Sequence, residues 1–161
     1  LVYGVPTLPL RIKRQQYSAM IVARSLEKNP LVKEVRYPGL PSFPNYSLAR
    51  TQLRDFDGEF APGNMIYFRV KEEAVDPVAF LDNLAANAYS VTLAVSLGHV
   101  KTLIEMPSQM THSAYEASGP MREPGGLRLS IGLESPMDIL KDLESAFLAT
   151  ARPEGASQLR R

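Results

Sequence analysis

Ile12, Ala19, Val22, Ala23 and Leu26 recur at the spacing of one buried helical face. Arg11, Lys13, Arg14, Gln15 and Gln16 lie between them and read as the wet face. Asn29-Pro30 stops this helix, because proline disfavours the helical conformation in the residue before it. Residues 31–37 then read as a short strand that ends at the turn pair Pro38-Gly39. Pro41 and Pro44 hold the next loop extended, 46–53 reads as a short helix, and 55–64 is turn-rich with Gly58, Pro62 and Gly63. The β-forming run 65–70 is the clearest strand. Asp76-Pro77 opens another helix, with Val78, Phe80, Leu81 and Leu84 as its core residues. A third strand is expected over 90–95. A flexible approach over 119–126 leads to a fourth over 127–131. Ser135-Pro136-Met137-Asp138 is a capped helix start, followed by the stripe Ile139, Leu140, Leu143, Ala146 and Phe147. The pattern predicts an α/β (α+β) fold, a small and mainly antiparallel sheet with helices on one face. Residues 1–150 form one domain in this reading. Residues 151–161, without periodicity, form a disordered tail.

Composition narrows the function classes. The 161 residues are 45% hydrophobic and 22% charged, a globular mixture. Lys plus Arg is 18 and Asp plus Glu is 17, so 18 − 17 gives +1, which argues against a nucleic-acid partner. Absence of cysteine removes disulfides, thiolate metal sites and a cysteine nucleophile, and it suits a cytoplasmic protein. Charges break every apolar run before the roughly 18 residues of a membrane helix, so no membrane partner is expected. The chain opens on Leu-Val-Tyr-Gly, without Met or a signal-peptide pattern, and reads as cut from something longer.

Few residues offer chemistry by spacing alone. His99 and His112, the two histidines, have no neighbouring acid or second histidine at helical ligand spacing, so no metal site is assigned. Pairing Ser96 or Ser113 with His112 as nucleophile and base is weakly supported. Gly125-Gly126 precedes a strand rather than a helix, which disfavours a phosphate loop. Arg128 is more unusual. Alternation puts it on the face with Ser130, opposite Leu127, Leu129 and Ile131. A guanidinium in a largely buried strand needs an anion. Two readings stay open: a structural pair with Glu134 or Glu105, or a bidentate clamp on a ligand carboxylate.

Several collinear blocks carry a resemblance. These are Thr7-Leu-Pro-Leu-Arg-Ile12, Val35-Arg-Tyr-Pro-Gly-Leu-Pro-Ser42, Ser96-Leu97-Gly98, Lys101-Thr-Leu-Ile-Glu105, Met110-Thr111-His112-Ser113 and Gly126-Leu-Arg-Leu-Ser-Ile-Gly-Leu-Glu134. From about Leu1 to Ala149 the chain resembles the C-terminal part of the cysteine/methionine-metabolism enzymes. These pyridoxal-phosphate (PLP) enzymes include cystathionine γ-lyase, cystathionine γ-synthase and methionine γ-lyase. The resemblance implies the C-terminal domain of a fold-type I PLP enzyme. It also implies that Arg128, with Ser96 and Thr111, surrounds the substrate α-carboxylate. Val95 and Leu97, on either side of Ser96, complete the implied substrate-binding set. Departures are Met106-Pro107 where the family usually has His-Pro, His99 and Lys101 at places commonly small or acidic, and a shortened stretch before the Leu-Arg-Leu-Ser block.

The family's Schiff-base lysine stands in a Ser/Thr-Lys-Tyr setting, in a PLP-binding domain N-terminal to this region. Lys13, Lys28, Lys33, Lys71, Lys101 and Lys141 all lack that setting. The expectation is therefore a substrate-recognition segment, with no catalytic residue of its own, that works with an N-terminal PLP-binding domain. The resemblance implies a homotetrameric parent acting on a small amino acid. The preferred reaction is methionine γ-lyase-like C–S elimination, because Val95 stands where cystathionine-handling relatives often carry Glu. The alternatives are a γ-synthase-type transferase and a non-catalytic amino-acid-binding or oligomerisation module.

Overall fold

The computed structural model describes residues 4–110 and 125–152. Helix α1 (Leu8–Lys28) leads into β1 (Val32–Arg36), α2 (Tyr46–Gln52), β2 (Met65–Val70) and α3 (Pro77–Asn87). Then come β3 (Val91–Leu93), β4 (Thr102–Glu105), the single turn α4 (Pro107–Met110), β5 (Gly126–Ser130) and α5 (Pro136–Thr150). The five strands lie in the order β1-β2-β5-β4-β3. Three neighbouring pairs are antiparallel and β3–β4 is parallel, as the pattern predicted in the main.

Pleat alternation divides the sheet into two faces. Ile66, Leu129 and Ile104 stand side by side on β2, β5 and β4, all fully buried. With Phe68, Val70, Leu127 and Ile131 they form the face against which α1, α3 and α5 pack. Phe80 of α3 joins the layers, edge-on to Phe68 of β2 at 6.4 Å and tilted against Phe147 of α5 at 4.6 Å between ring centroids. Asp142 of α5 accepts from the amides of Ser90 (2.6 Å) and Val91 (3.1 Å), fixing where β3 begins. Burial pushes the Tyr37 phenol well above its usual range, and its hydroxyl donates to the Gly63 carbonyl at 2.9 Å.

The helix caps form where the sequence places them. Asp76 Oδ1 accepts from Val78 N at 2.9 Å, and Ser135 Oγ accepts from Met137 N at 3.3 Å. Other expectations need correction. Gln15, placed on the wet face, is buried, whereas Val78, placed in the core, is 40% exposed. The third strand stops at Leu93, so Val95 lies in the loop beyond it. Strand β4 is missing from the sequence reading because all four of its residues are buried, which leaves no alternation to detect. Ala151, expected in a loose tail, bridges Val75, and Arg152 N donates to the Ala74 carbonyl at 2.8 Å. Residues 153–161 lie outside the described residues.

Glu134 ties the end of β5 to the start of β4. Its carboxylate accepts from Thr102 N (2.9 Å) and Thr102 Oγ1 (2.8 Å), and Thr102 Oγ1 accepts from Gly132 N at 2.9 Å. Thr102 is fully buried, so losing this acceptor leaves buried donors unmatched. Glu134→Ala should therefore cost about 1–3 kcal/mol of stability. Glu134→Gln, which keeps one acceptor, should cost less. Urea unfolding midpoints check the order, and equal losses in the two variants would contradict it.

Candidate functional site

On the other face of the sheet a polar row crosses the three central strands. Tyr67 of β2 is in register with Arg128 of β5, which is in register with Glu105 of β4. Arg128 thus stands opposite Leu127, Leu129 and Ile131, as its alternation predicts. Its side chain is 26% exposed and that of Glu105 only 1%. Arg128 Nη2 lies 2.9 Å from Glu105 Oε1 and donates to the Ser96 carbonyl at 3.0 Å. The Glu105 contact is a close charge pair without hydrogen-bond alignment. Neither Glu105 oxygen, nor Arg128 Nε, has a hydrogen-bond partner among the described residues.

Loop 94–100 is fastened beside this row at several points. Gly98 N donates to Ser130 Oγ (2.9 Å), Leu133 N to the Val100 carbonyl (2.7 Å), and the Gln15 side-chain amide to the His99 carbonyl (2.8 Å). Gly98 has φ of 70°, a left-handed conformation that a side chain would strain, so glycine sets the turn that brings its amide to Ser130. On the neighbouring strand, Gly126 leaves room for the Tyr67 ring to lie across β5, since a Cβ there would collide with the phenol.

Ser96, which the resemblance places around the ligand carboxylate, meets Arg128 through its backbone carbonyl. Val95 and Leu97 flank it at 53% and 58% exposure, so Val95 is not the buried end of a strand. Thr111 and His112 lie outside the described residues. Of the two acids considered for Arg128, Glu105 makes the pair, and Glu134 is engaged with Thr102. His99 is exposed, its Nδ1 accepting from Lys101 N at 3.0 Å, and no cluster of metal-ligating side chains occurs among the described residues. No helix among them is long and apolar enough to cross a membrane.

Gln15 escaped the sequence reading. Gln15 was detectable, since 15, 19, 22 and 26 form one helical stripe, and a polar residue on an apolar stripe marks a directed hydrogen bond. Ser130 shares the Arg128 face as its alternation predicts, but only the fold brings loop 94–100 to it. Clefts elsewhere, of about 330 Å³ between α3 and α5 and about 320 Å³ beside the start of α1, are lined by other residues.

The lysines do not fit a site that anchors PLP. Lys13, Lys28, Lys33, Lys101 and Lys141 are exposed and Lys71 is half-buried, whereas a Schiff-base lysine needs an enclosed pocket that shifts its proton affinity. No step through the cofactor is derived from these residues.

Comparison with known proteins agrees with the geometry. The family model described as Cys/Met metabolism PLP-dependent enzyme matches residues 1–148. L-methionine gamma-lyase of Porphyromonas gingivalis is 42% identical over 144 residues, 88% of this chain and 34% of that enzyme. Cystathionine gamma-lyase of Bos taurus is 38% identical over 159 residues, 96% of this chain and 36% of that enzyme. Among solved structures, cystathionine gamma-lyase from Lactobacillus plantarum complexed with L-serine superposes with a TM-score of 0.79 at 31% identity, over 93% of this chain and 38% of that one. Cystathionine gamma synthase from Xanthomonas oryzae pv. oryzae in complex with cystathionine gives 0.77 at 34%, over 90% and 36%. The chain therefore spans about a third of the length of these relatives. A chain that matches the family model over residues 1–148, and that superposes on solved lyases and synthases, belongs to the Cys/Met metabolism PLP-dependent enzymes.

Proposed function

We propose that this chain is the C-terminal, substrate-recognising part of a PLP-dependent sulfur amino-acid enzyme. In this reading Arg128 clamps the α-carboxylate of the amino acid. The observation that carries it is the partly exposed guanidinium on the polar sheet face, held beside loop 94–100 and short of hydrogen-bond acceptors. A ligand carboxylate supplies two planar acceptors, the shape an arginine fork matches. By the resemblance, Ser96 and Thr111 assist Arg128 at the carboxylate. PLP, when bound, supplies the electron sink, and the protein supplies binding and orientation. The cofactor lysine belongs to another segment, because none of the six here has the Ser/Thr-Lys-Tyr setting. Homotetrameric assembly, which rests on the resemblance, and a cytoplasmic setting, which rests on the absence of cysteine, form part of the same proposal.

Three tests follow from this assignment. In the complete polypeptide carrying this segment, Arg128→Ala should lower kcat/KM by about 10- to 100-fold, the loss of one or two charge-assisted hydrogen bonds. Arg128→Lys keeps the charge without the fork and should remain clearly impaired, while bound PLP stays near wild type. Near-normal kcat/KM in Arg128→Ala would overturn the clamp.

The 161-residue chain by itself should neither form a lysine adduct with PLP nor turn over substrate. Borohydride reduction followed by mass mapping checks this. A single stoichiometric pyridoxyl-lysine with lyase activity would contradict the division of labour, and it would place catalysis in this segment.

The reaction branch rests on Val95, which offers no hydrogen bond to the distal ammonium of cystathionine. An unmatched polar group of this kind costs about 1–3 kcal/mol. The complete enzyme should accordingly prefer methionine, or another substrate with a small uncharged thiol group, in kcat/KM. A clear preference for cystathionine would assign it to the other branch.

A further inference from the structure

Glu105 has no place in the mechanism so far, and its surroundings are unusual. It is a carboxylate at 1% side-chain exposure, and neither of its oxygens accepts a hydrogen bond among the described residues. The cation at hand is Arg128 Nη2 at 2.9 Å, directly across the β4–β5 ladder. A buried carboxylate is ordinarily surrounded by donors, and even the half-buried Glu134 just beyond β5 accepts two hydrogen bonds from Thr102. Arg128 is incompletely matched as well, with Nη2 turned to both Glu105 and the Ser96 carbonyl while Nε is buried without a hydrogen-bond partner among the described residues. The pair is close but poorly bonded on both sides.

We propose that Glu105 is a positioning residue that competes with the ligand carboxylate for Arg128. It keeps the guanidinium laid along the sheet, and it sets how tightly a carboxylate is held. This inference rests on the reading of Arg128 as the carboxylate clamp. The physical basis is charge counting. Glu105 and Arg128 together carry no net charge, so an incoming carboxylate meets a cation already neutralised at one nitrogen. It also brings a second anion to within a few ångströms of the first. Two like charges in a partly dry site repel far more strongly than in water. The register makes the effect local, because Glu105 stands opposite Arg128 across one ladder and pairs with no other cation among the described residues. A modest hold on the carboxylate lets product leave, whereas an uncompensated arginine would retain it.

The test uses the complete PLP-loaded enzyme and two unreactive probes, L-norleucine and L-norleucinamide, which differ at the carboxylate. Calorimetric Kd values give a carboxylate-over-carboxamide preference for wild type, Glu105→Gln and Glu105→Met. Both substitutions remove the anion at similar length, and Gln retains an acceptor for Arg128. The preference should rise by about tenfold in each, as expected for removing a like charge at this range. KM should fall with it. A merely structural role predicts the opposite, since a displaced guanidinium would discriminate less. An unchanged or reduced preference in both variants overturns the proposal. Arg128→Ala separates this outcome from failure of the clamp itself. If Arg128→Ala leaves the wild-type preference intact, or if wild type shows none, the clamp fails. If Arg128→Ala abolishes the preference and the Glu105 variants do not raise it, only the role of Glu105 fails.

Discussion

The central place of β5 in the sheet is the constraint on which the rest depends. It is hydrogen-bonded to β2 on one side and β4 on the other, and both faces of the strand are covered. Leu127, Leu129 and Ile131 are fully buried beneath the helices. Burying each such side chain contributes about 1.5–3 kcal/mol, which outweighs the net worth of a partly exposed ion pair. Apolar packing therefore settles the strand's position and register. Arg128 is then carried to the polar face by pleat geometry, whether or not its own contacts are good.

That asymmetry explains how an ill-matched pair persists in a well-packed domain. Ion pairs withdrawn from water recover their desolvation cost only with good geometry and extra hydrogen bonds. Glu134 has those bonds, and it ties two strand ends together. Glu105 lacks them among the described residues and Arg128 has only the one to the Ser96 carbonyl, beside a loop that Gln15, Ser130 and Leu133 fasten. The molecule thus places its well-bonded acid where it braces the fold, and its poorly bonded acid beside the guanidinium that a ligand can reach.

The division of labour follows from the same economy of surface. The chain covers about a third of each related enzyme, and five of its six lysines are exposed while Lys71 is half-buried. Under the proposed function, what it would offer the reaction is a sheet face, a guanidinium and an anchored loop. Orientation of a substrate requires rigidity, because small displacements at the reacting carbon are costly.

Much of this was legible in the sequence for local reasons. Helical stripes, caps at Asp76 and Ser135, and the alternation that exposes Arg128 opposite three apolar residues all depend on neighbours a few positions apart. The collinear blocks identified the family for the same reason, since spacing within a block survives without knowledge of the fold. Long-range pairing stayed hidden. Strand β4, buried on both faces, has no alternation, so its role beside β5 appears only when the sheet is assembled. The choice between Glu105 and Glu134 as partner for Arg128 was likewise undecidable from spacing. It turns on the register of β4 against β5, a property that residues 23 or so positions apart acquire only through tertiary structure. Gln15 and His99 belong to elements far apart in the chain, and only the packed fold brings the side chain of one to the carbonyl of the other.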